Sequence, residues 1–225
     1  MIHQLILAGP RPGMTVPDFQ HYWRDVHAVE YAAKIPQIRR YLVDDVEPMG
    51  PEETRPPWRG AAEIWLTGER EQVASLQTPE FLRARQDEPT WAAFWQTIVL
   101  DTDAHEVVPG PDGGVKLILL VKRAPGSGLA AFRERGLGAH ATLTGRVPGL
   151  RRYLQGYTRD GAYQLGEAVL DGAHQLWFED ADALTRALAS PEFARAEEDL
   201  RDFADPRYLH RLVAIEHWII GPHGR

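Results

Sequence analysis

Apolar and polar residues follow the same order of patterns twice along the chain. In the first half, two-residue alternation predicts strands at residues 2–8, 39–46 and 61–66 and a last strand around 105–108, and helical spacing predicts helices at 16–34 and, broken, at 69–95. The second half repeats this order and ends in a strand near 212–220. Strand, helix, strand, strand, helix, strand is the ferredoxin-like βαββαβ arrangement.

The first helix has a clear start signal and one packed side. Thr15 is an N-cap with Asp18 three residues later, as in a capping box. Phe19, Trp23 and His27 then follow at steps of four residues, which places them on one side of the helix. We therefore expect this side, including the imidazole of His27, to pack against the sheet.

The two halves are copies of one unit. A shift of 113 residues aligns His27 with His140, and a shift of 112 aligns residues 39–42 with 151–154 and Trp65 with Trp177. Agreement of unrelated residue types at nearly one offset indicates an internal duplication. The stretch PGPDGG at 109–114 has linker composition, so we predict repeat 1 at residues 1–108 and repeat 2 at residues 115–222.

A single ferredoxin-like sheet carries helices on one face and leaves the other face to be covered. The second repeat is the obvious cover, so the predicted fold is α+β, with two ferredoxin-like βαββαβ repeats packed sheet to sheet into a barrel within one chain. On strand 61–66 the even-numbered positions are apolar and suit the helices, whereas Glu63 and Trp65, like Gln175 and Trp177, are predicted to face the interior. These four side chains either line a ligand cavity or plug the barrel.

Composition narrows the class of protein. The chain has 225 residues, no cysteine and a formal net charge of -7. The lack of cysteine excludes disulfides and thiolate chemistry, and the acidic balance argues against nucleic acid as a partner. No apolar run approaches the roughly 18 residues of a membrane span, and the amino terminus lacks a signal-peptide pattern. We therefore expect no membrane partner and a cytoplasmic location.

Two sequence blocks occur in each repeat: FQHYWRDVHA with IPQIRRY in the first, and FRERGLGAHA with VPGLRRY in the second. With them the chain resembles the EthD family of the dimeric α+β barrel superfamily. The resemblance implies a cavity for a small, mostly apolar molecule. Relatives in the superfamily include cofactor-free monooxygenases and cyclases, lactone isomerases and haem-binding proteins, among which the fold does not choose.

His27 and His140 are the candidate catalytic residues, because they occupy matching places in both repeats and imidazole titrates near neutral pH. The alternative is a structural histidine that bonds a backbone carbonyl. The candidate substrate-binding residues are Tyr22, Trp23, Tyr41, Glu63, Trp65, Tyr153, Gln175 and Trp177. His105 and His217, on the last strands, are weaker candidates.

The repeats differ at one position beside the histidine. Gly136 stands where Trp23 stands in repeat 1, and Gly138 follows closely. Because glycine disfavours helix, we expect a shortened or kinked helix in repeat 2. The missing indole either opens a cavity around His140 or marks a decayed repeat, with activity kept around His27. The second interpretation is slightly favoured.

The leading hypothesis is a cofactor-independent enzyme that acts on an aromatic or polyketide-like compound, by monooxygenase, cyclase or isomerase chemistry with a histidine general base. The alternative is a non-catalytic binding protein for haem or an apolar metabolite. No metal site is predicted, because the histidines form no HxH or HxxxH motif. The expected partner is a small apolar or aromatic molecule, and the expected state is a monomer or a homodimer.

Overall fold

The computed structural model describes residues 1–164 and 166–225. The strands are β1 (Ile2–Ala8), β2 (Arg40–Pro48), β3 (Gly60–Leu66), β4 (Ile98–Val108), β5 (Val115–Val121), β6 (Arg152–Thr158), β7 (Gly172–Phe178) and β8 (His210–Ile220). The α-helices are α1 (Val16–His21), α2 (Glu69–Ser75), α3 (Pro79–Asp87), α4 (Leu129–Arg135), α5 (Ala141–Thr144), α6 (Ala181–Leu188) and α7 (Pro191–Phe203). The strands form a closed barrel in the order β1-β3-β2-β8-β5-β7-β6-β4. The predicted α+β barrel of two ferredoxin-like repeats is therefore confirmed.

The chain divides into two compact units, of which unit 1 comprises Met1–Thr102 and Ile215–Arg225. Its strand β1 lies between β3 and β4, and β2 pairs with the other edge of β3, all antiparallel. The helices cover the face of β3 that carries only apolar side chains, as the alternation predicted. The core on this face contains Phe19, Trp23, Tyr41, Ala62, Ile64, Leu66 and Trp91.

Unit 2 comprises Asp103–Ala214. Its strand β7 lies between β5 and β6, again antiparallel. The registers repeat those of unit 1: Lys116 lies opposite Trp177 as His3 lies opposite Trp65. This match fixes which positions of the two repeats are equivalent, and it agrees with the shifts of 113 and 112 residues seen in the sequence.

The compact units do not follow the sequence repeats at their ends. Strand β4 is divided after Thr102, so that Asp103 and the residues after it belong to unit 2, and β8 is divided after Ala214. The linker at residues 109–114 stays a prediction from the repeat pattern.

The first helix begins where the sequence predicted but changes its winding. The backbone N–H of Asp18 donates to Thr15 Oγ1 at 3.2 Å, which caps α1. From Tyr22–Tyr31 the chain then forms a π-helix, and in repeat 2 a shorter π-helical segment, Gly136–His140, joins α4 to α5. The helix of repeat 2 is shorter, as expected, because it ends at Thr144, whereas repeat 1 continues in the 3₁₀ turn Ala32–Lys34. The π-helical winding occurs in both repeats and so does not depend on the glycines. The apolar pattern did not reveal the π-helix, because Phe19, Trp23 and His27 are buried here just as they would be in an α-helix.

Two predicted boundaries in repeat 1 were wrong. The helix predicted to reach residue 95 ends at Asp87, and the strand predicted from residue 105 begins at Ile98. Leu100 pairs with Leu5 of β1, which makes the residues after 97 part of the sheet. This pairing joins segments far apart in sequence, so the local pattern did not indicate it.

Candidate functional site

His27 lies in the π-helical segment and is held by a carboxylate from another helix. Its Nδ1 is 2.8 Å from Oδ2 of Asp87, the last residue of α3. The other oxygen of Asp87 accepts a hydrogen bond from the Tyr22 hydroxyl at 2.9 Å, and the Thr90 hydroxyl donates to the backbone carbonyl of Asp87 at 2.7 Å. A carboxylate only accepts, so Nδ1 carries the proton and Nε2 carries the lone pair. A His–Asp pair whose carboxylate has a second donor is a fixed, oriented base.

The surroundings of His27 favour its neutral form. The side chain is 6% exposed, and burial lowers the pKa of the imidazole, an effect that the nearby Asp87 carboxylate only partly opposes. The ring also packs against the indole of Trp91 with centroids 4.8 Å apart. A neutral imidazole with a free lone pair is the state that a general base requires.

A cavity of about 100 Å³ lies between the helices and the sheet of unit 1, and His27 forms part of its wall. Most of the lining is apolar or aromatic, including Ile6, Ile64 and Trp91. Ligand cavities commonly measure about 300–1,000 Å³, so this one admits only a small compound of one or two rings or a few water molecules. Haem was the alternative cofactor, and a cavity of this size does not fit a macrocycle.

Repeat 2 contains the same pair in a different setting. His140 Nδ1 is 3.0 Å from Oδ2 of Asp199, and burial again lowers the pKa of the imidazole. Here the other carboxylate oxygen accepts from Arg135 at 2.8 Å, which stands where Tyr22 stands in repeat 1. His140 Nε2 is 3.3 Å from the Thr144 hydroxyl. Both imidazole nitrogens of His140 therefore have protein partners.

Large polar side chains occupy the space beside His140. The Tyr157 hydroxyl lies where a Cβ at Gly136 would be, and it donates to Gln155 Oε1 at 2.6 Å. The amide of Gln155 in turn donates to the Tyr153 hydroxyl at 2.6 Å. His174 packs against His140 with ring centroids 5.5 Å apart and is fully buried. Its position corresponds to Ala62, which lines the cavity in repeat 1.

The predicted site residues of repeat 1 separate into two groups. Trp23 and Tyr41 line the same cavity as His27, whereas Tyr22 acts through its hydrogen bond to Asp87. In repeat 2 the predicted Tyr153 belongs to the polar side chains around His140. These residues all lie on the helix-covered side of their sheets.

The second group lies on the opposite side of each sheet. Glu63 and Trp65 alternate with the helix-facing residues of β3, and they contact His3: its Nε2 is 2.6 Å from Glu63 Oε2 and its ring stacks on Trp65 at 4.8 Å. The same alternation on β7 places Gln175 and Trp177 on the corresponding face of unit 2. The four residues do not share a face with the histidines, so they do not belong to the site around His27.

The sequence patterns did not single out Asp87 and Asp199, the two aspartates that hold the histidines. The signal was present, because the shift of 112 residues aligns Asp87 with Asp199 and Trp91 with Phe203. The two weaker candidates lie elsewhere: His217 Nε2 is 3.1 Å from Asp45 Oδ2, and the His105 ring contacts the Tyr157 ring at 6.0 Å.

One acidic group among the described residues has the spacing of metal ligands. Oxygens of Asp44, Glu63 and Glu216 lie within 4.8 Å of one another. Glu63 is already bonded to His3. Acidic groups of this kind are common without an ion, and the prediction of no metal site stays a prediction.

The sequence matches the profile of the EthD domain twice, at residues 11–94 and 124–207. These matches cover more than half of the chain, which therefore belongs to the EthD family and consists of two tandem EthD domains. A search of curated proteins finds no match.

Solved structures support the fold. An anthrone oxidase-like protein is 10% identical, with 99% of this chain and 94% of the other covered and a TM-score of 0.62. A candidate monooxygenase from Fusobacterium nucleatum is 8% identical (97% and 92% covered, TM-score 0.58), and a candidate chlorite dismutase is 12% identical (96% and 95% covered, TM-score 0.57). At such low identities the likeness shows the fold alone and says nothing about activity. No helix of the described residues has the length and apolar character of a membrane span.

Proposed function

We propose that the protein is an enzyme that binds a small aromatic or polyketide-like compound in the cavity of unit 1, with His27 as its general base. The observation that carries this proposal is that His27, which is hydrogen-bonded to Asp87, forms part of the wall of that cavity. The buried imidazole is neutral near pH 7, and the aromatic lining suits a planar ligand.

The proposed chemistry begins with removal of a proton. Nε2 of His27 takes a proton from a phenol or an activated C–H of the ligand, and the imidazole becomes positively charged. Asp87 stabilises this charge through Nδ1, and Tyr22 and Thr90 hold Asp87 in place. Asp87 is therefore a positioning residue. This step needs no cofactor, and it is a possible first step of oxygenase, cyclase and isomerase reactions alike.

The alternative is a binding protein that performs no reaction. Its haem version has little support, because the cavity of about 100 Å³ is too small. Its apolar-metabolite version uses the same cavity, with His27 as part of the wall. The two functions therefore differ in one measurable property, which is proton abstraction by His27.

The test uses nitrobenzisoxazole, an aromatic probe whose ring opens when a base removes one proton. The nitrophenolate that forms on ring opening is followed by its absorbance. We expect the wild-type protein to accelerate the opening over buffer, and His27→Ala to reduce the acceleration by about 10²-fold or more, the usual contribution of a general base. Asp87→Asn leaves the imidazole poorly oriented and should give an intermediate loss.

His140→Ala and Asp199→Asn are the matched controls, because they remove the same pair from repeat 2. Both should keep the wild-type rate to within about twofold, a change worth less than 1 kcal/mol in barrier height. Circular dichroism of each variant checks that it is folded, and His27→Gln serves if His27→Ala is not. Equal rates for wild type and a folded His27 variant would exclude the proposed base and favour the binding protein.

A further inference from the structure

The polar part of the cavity lining distinguishes the two repeats. Four polar side chains that line the cavity of unit 1 have apolar equivalents in repeat 2, whereas Arg85 corresponds to Glu197 and His27 to His140. The pairs are Gln4 and Leu117, Ser75 and Ala187, Glu88 and Leu200, and Thr97 and Leu209. Leu117 and Leu200 are 0% and 1% exposed and fill the core of unit 2. The fold therefore tolerates, and in repeat 2 uses, apolar residues at these places.

Glu88 is the most costly of these polar residues. It follows Asp87 at the end of α3, and its side chain is only 17% exposed. Burial raises the pKa of its carboxyl, while Arg85 opposes this shift. Removing a carboxylate from water is unfavourable unless it gains strong partners. Arg85 donates to Oε2 of Glu88 and is itself half exposed. Glu88 therefore lowers stability at a position where repeat 2 has a leucine, and a residue that is unfavourable for the fold indicates a function.

The position of Glu88 relates it directly to His27. Asp87, the last residue of α3, is hydrogen-bonded to the imidazole of His27, and Glu88, the next residue, lines the cavity. Since the cavity holds about 100 Å³, a ligand that fills it contacts both His27 and Glu88. The remaining lining is mainly apolar, so a suitable ligand is a small ring with few polar groups.

We propose that Glu88 determines the specificity of the cavity by accepting a hydrogen bond from a hydroxyl group of the ligand, so that the substrate is a small phenol-type or enol-type compound. This inference rests on the proposed function of the same cavity and narrows its substrate class. Oε2 of Glu88 is engaged by Arg85, which leaves Oε1 to receive the ligand. The hydroxyl is then anchored at Glu88 and an activated C–H of the ligand lies beside His27, so that of the two proton sources proposed for His27 this inference selects the C–H.

Phenol and toluene are suitable probes, because they have nearly the same size and differ in a hydroxyl against a methyl group. Their affinities are measured by calorimetry for the wild-type protein, Glu88→Leu and Glu88→Gln. We expect the wild type to prefer phenol by about 10-fold or more, the range of one hydrogen bond to a charged group. Glu88→Leu, which introduces the repeat 2 residue, should lose this preference, and Glu88→Gln should keep part of it through its amide oxygen.

Glu80→Gln is the control, because it removes a carboxylate from the same helix outside the cavity lining. It should leave the preference unchanged. Glu88→Leu should remain folded, since leucine fills this position in repeat 2, and Glu88→Gln provides the test if it does not. Equal preferences in wild type and the folded Glu88 variant would overturn the inference, and so would failure of the wild type to bind either probe.

The binding test is independent of the rate test. If His27→Ala keeps the rate of nitrobenzisoxazole opening while Glu88 still selects phenol, the proposed base is excluded and the specificity role stands. If the rate depends on His27 but phenol and toluene bind alike, the base stands and the role of Glu88 is excluded.

Discussion

Repeat 1 and repeat 2 share a His–Asp pair but differ in what surrounds it. His27, which Asp87 holds by a hydrogen bond, forms part of the wall of a cavity, whereas the space beside His140 is occupied by the side chains of Tyr157 and His174. Both imidazoles are buried, and burial lowers the pKa of both. The pair is therefore not sufficient to make a site. Its role depends on whether neighbouring side chains leave room for a ligand.

The difference can be traced to a few compensating positions. Trp23 in repeat 1 corresponds to Gly136 in repeat 2, and the space of the missing indole is taken by Tyr157, which corresponds to Asp45. Repeat 2 has exchanged an aromatic group on the helix for one on the strand. Together with apolar residues at four of the polar cavity positions, this exchange fits a repeat that keeps the fold and fills the space beside its histidine with side chains.

Trp23→Ala should have the largest effect on stability. The indole is 2% exposed and packs against Trp91 and Phe19 with centroids 4.8 and 5.6 Å away. Its loss should lower the free energy of unfolding by about 3–5 kcal/mol, measured by urea denaturation. The matched control is Trp95→Ala, which removes an indole that is 60% exposed and should change stability by less than about 0.5 kcal/mol. Similar losses in both variants would contradict the packing role of Trp23.

Gly136→Ala should have the next largest effect, in repeat 2. An added Cβ would overlap the hydroxyl of Tyr157, a buried ring with little room to move. We expect a loss of about 1–3 kcal/mol in the free energy of unfolding. Tyr157→Phe removes the overlapping oxygen, so the double variant should be more stable than the sum of the single effects.

The control for this prediction is Gly138→Ala, two residues further along the same segment. A Cβ there meets nothing within 4 Å, so the substitution should be neutral or stabilise by up to about 1 kcal/mol through helix propensity. Strict additivity of Gly136→Ala and Tyr157→Phe would show that Tyr157 does not fill the space of the indole.

Local sequence signals predicted the scaffold more completely than the site. Strand β1 and the start of α1 at Val16 are where the alternation and the Thr15 cap placed them. The contact between His27 and Asp87 joins residues 60 positions apart in sequence. The duplication held this information, since both aspartates align, but the reason for their importance emerges only when α3 packs beside the π-helical segment.

The location of the cavity could not be predicted from alternation. The alternation predicts that Glu63 and Trp65 face the interior, where they either line a ligand cavity or plug the barrel. The cavity near His27 arises instead on the apolar face, where Ala62 is small and His174 in repeat 2 is large. The difference in side-chain volume between equivalent positions of the two repeats therefore indicates the location of the cavity better than the polarity of the residues does.

The pH dependence of stability should show a smaller effect, which comes from a buried histidine of repeat 2 that repeat 1 lacks. Burial and the nearby His140 hold the pKa of His174 well below its usual value. When the pH falls through about 6.5, the usual histidine value, the unfolded chain binds a proton at this position and the folded chain does not. Stability is then lost, at up to about 1.4 kcal/mol per pH unit for one group. The buried His27 and His140 contribute in the same direction.

His174→Ala introduces the residue that repeat 1 has at this position and removes one of these groups. It should flatten the decrease in unfolding free energy between about pH 6.5 and pH 5, measured by urea denaturation at several pH values. The cavity that the variant creates lowers stability at every pH, so the slope rather than the absolute value is the readout. His217→Ala is the control, because it removes an imidazole whose side chain is 33% exposed, whereas His174 is fully buried. An unchanged slope for His174→Ala would mean that His174 binds a proton equally well in the folded and the unfolded protein. That result would contradict the effect of burial on its pKa.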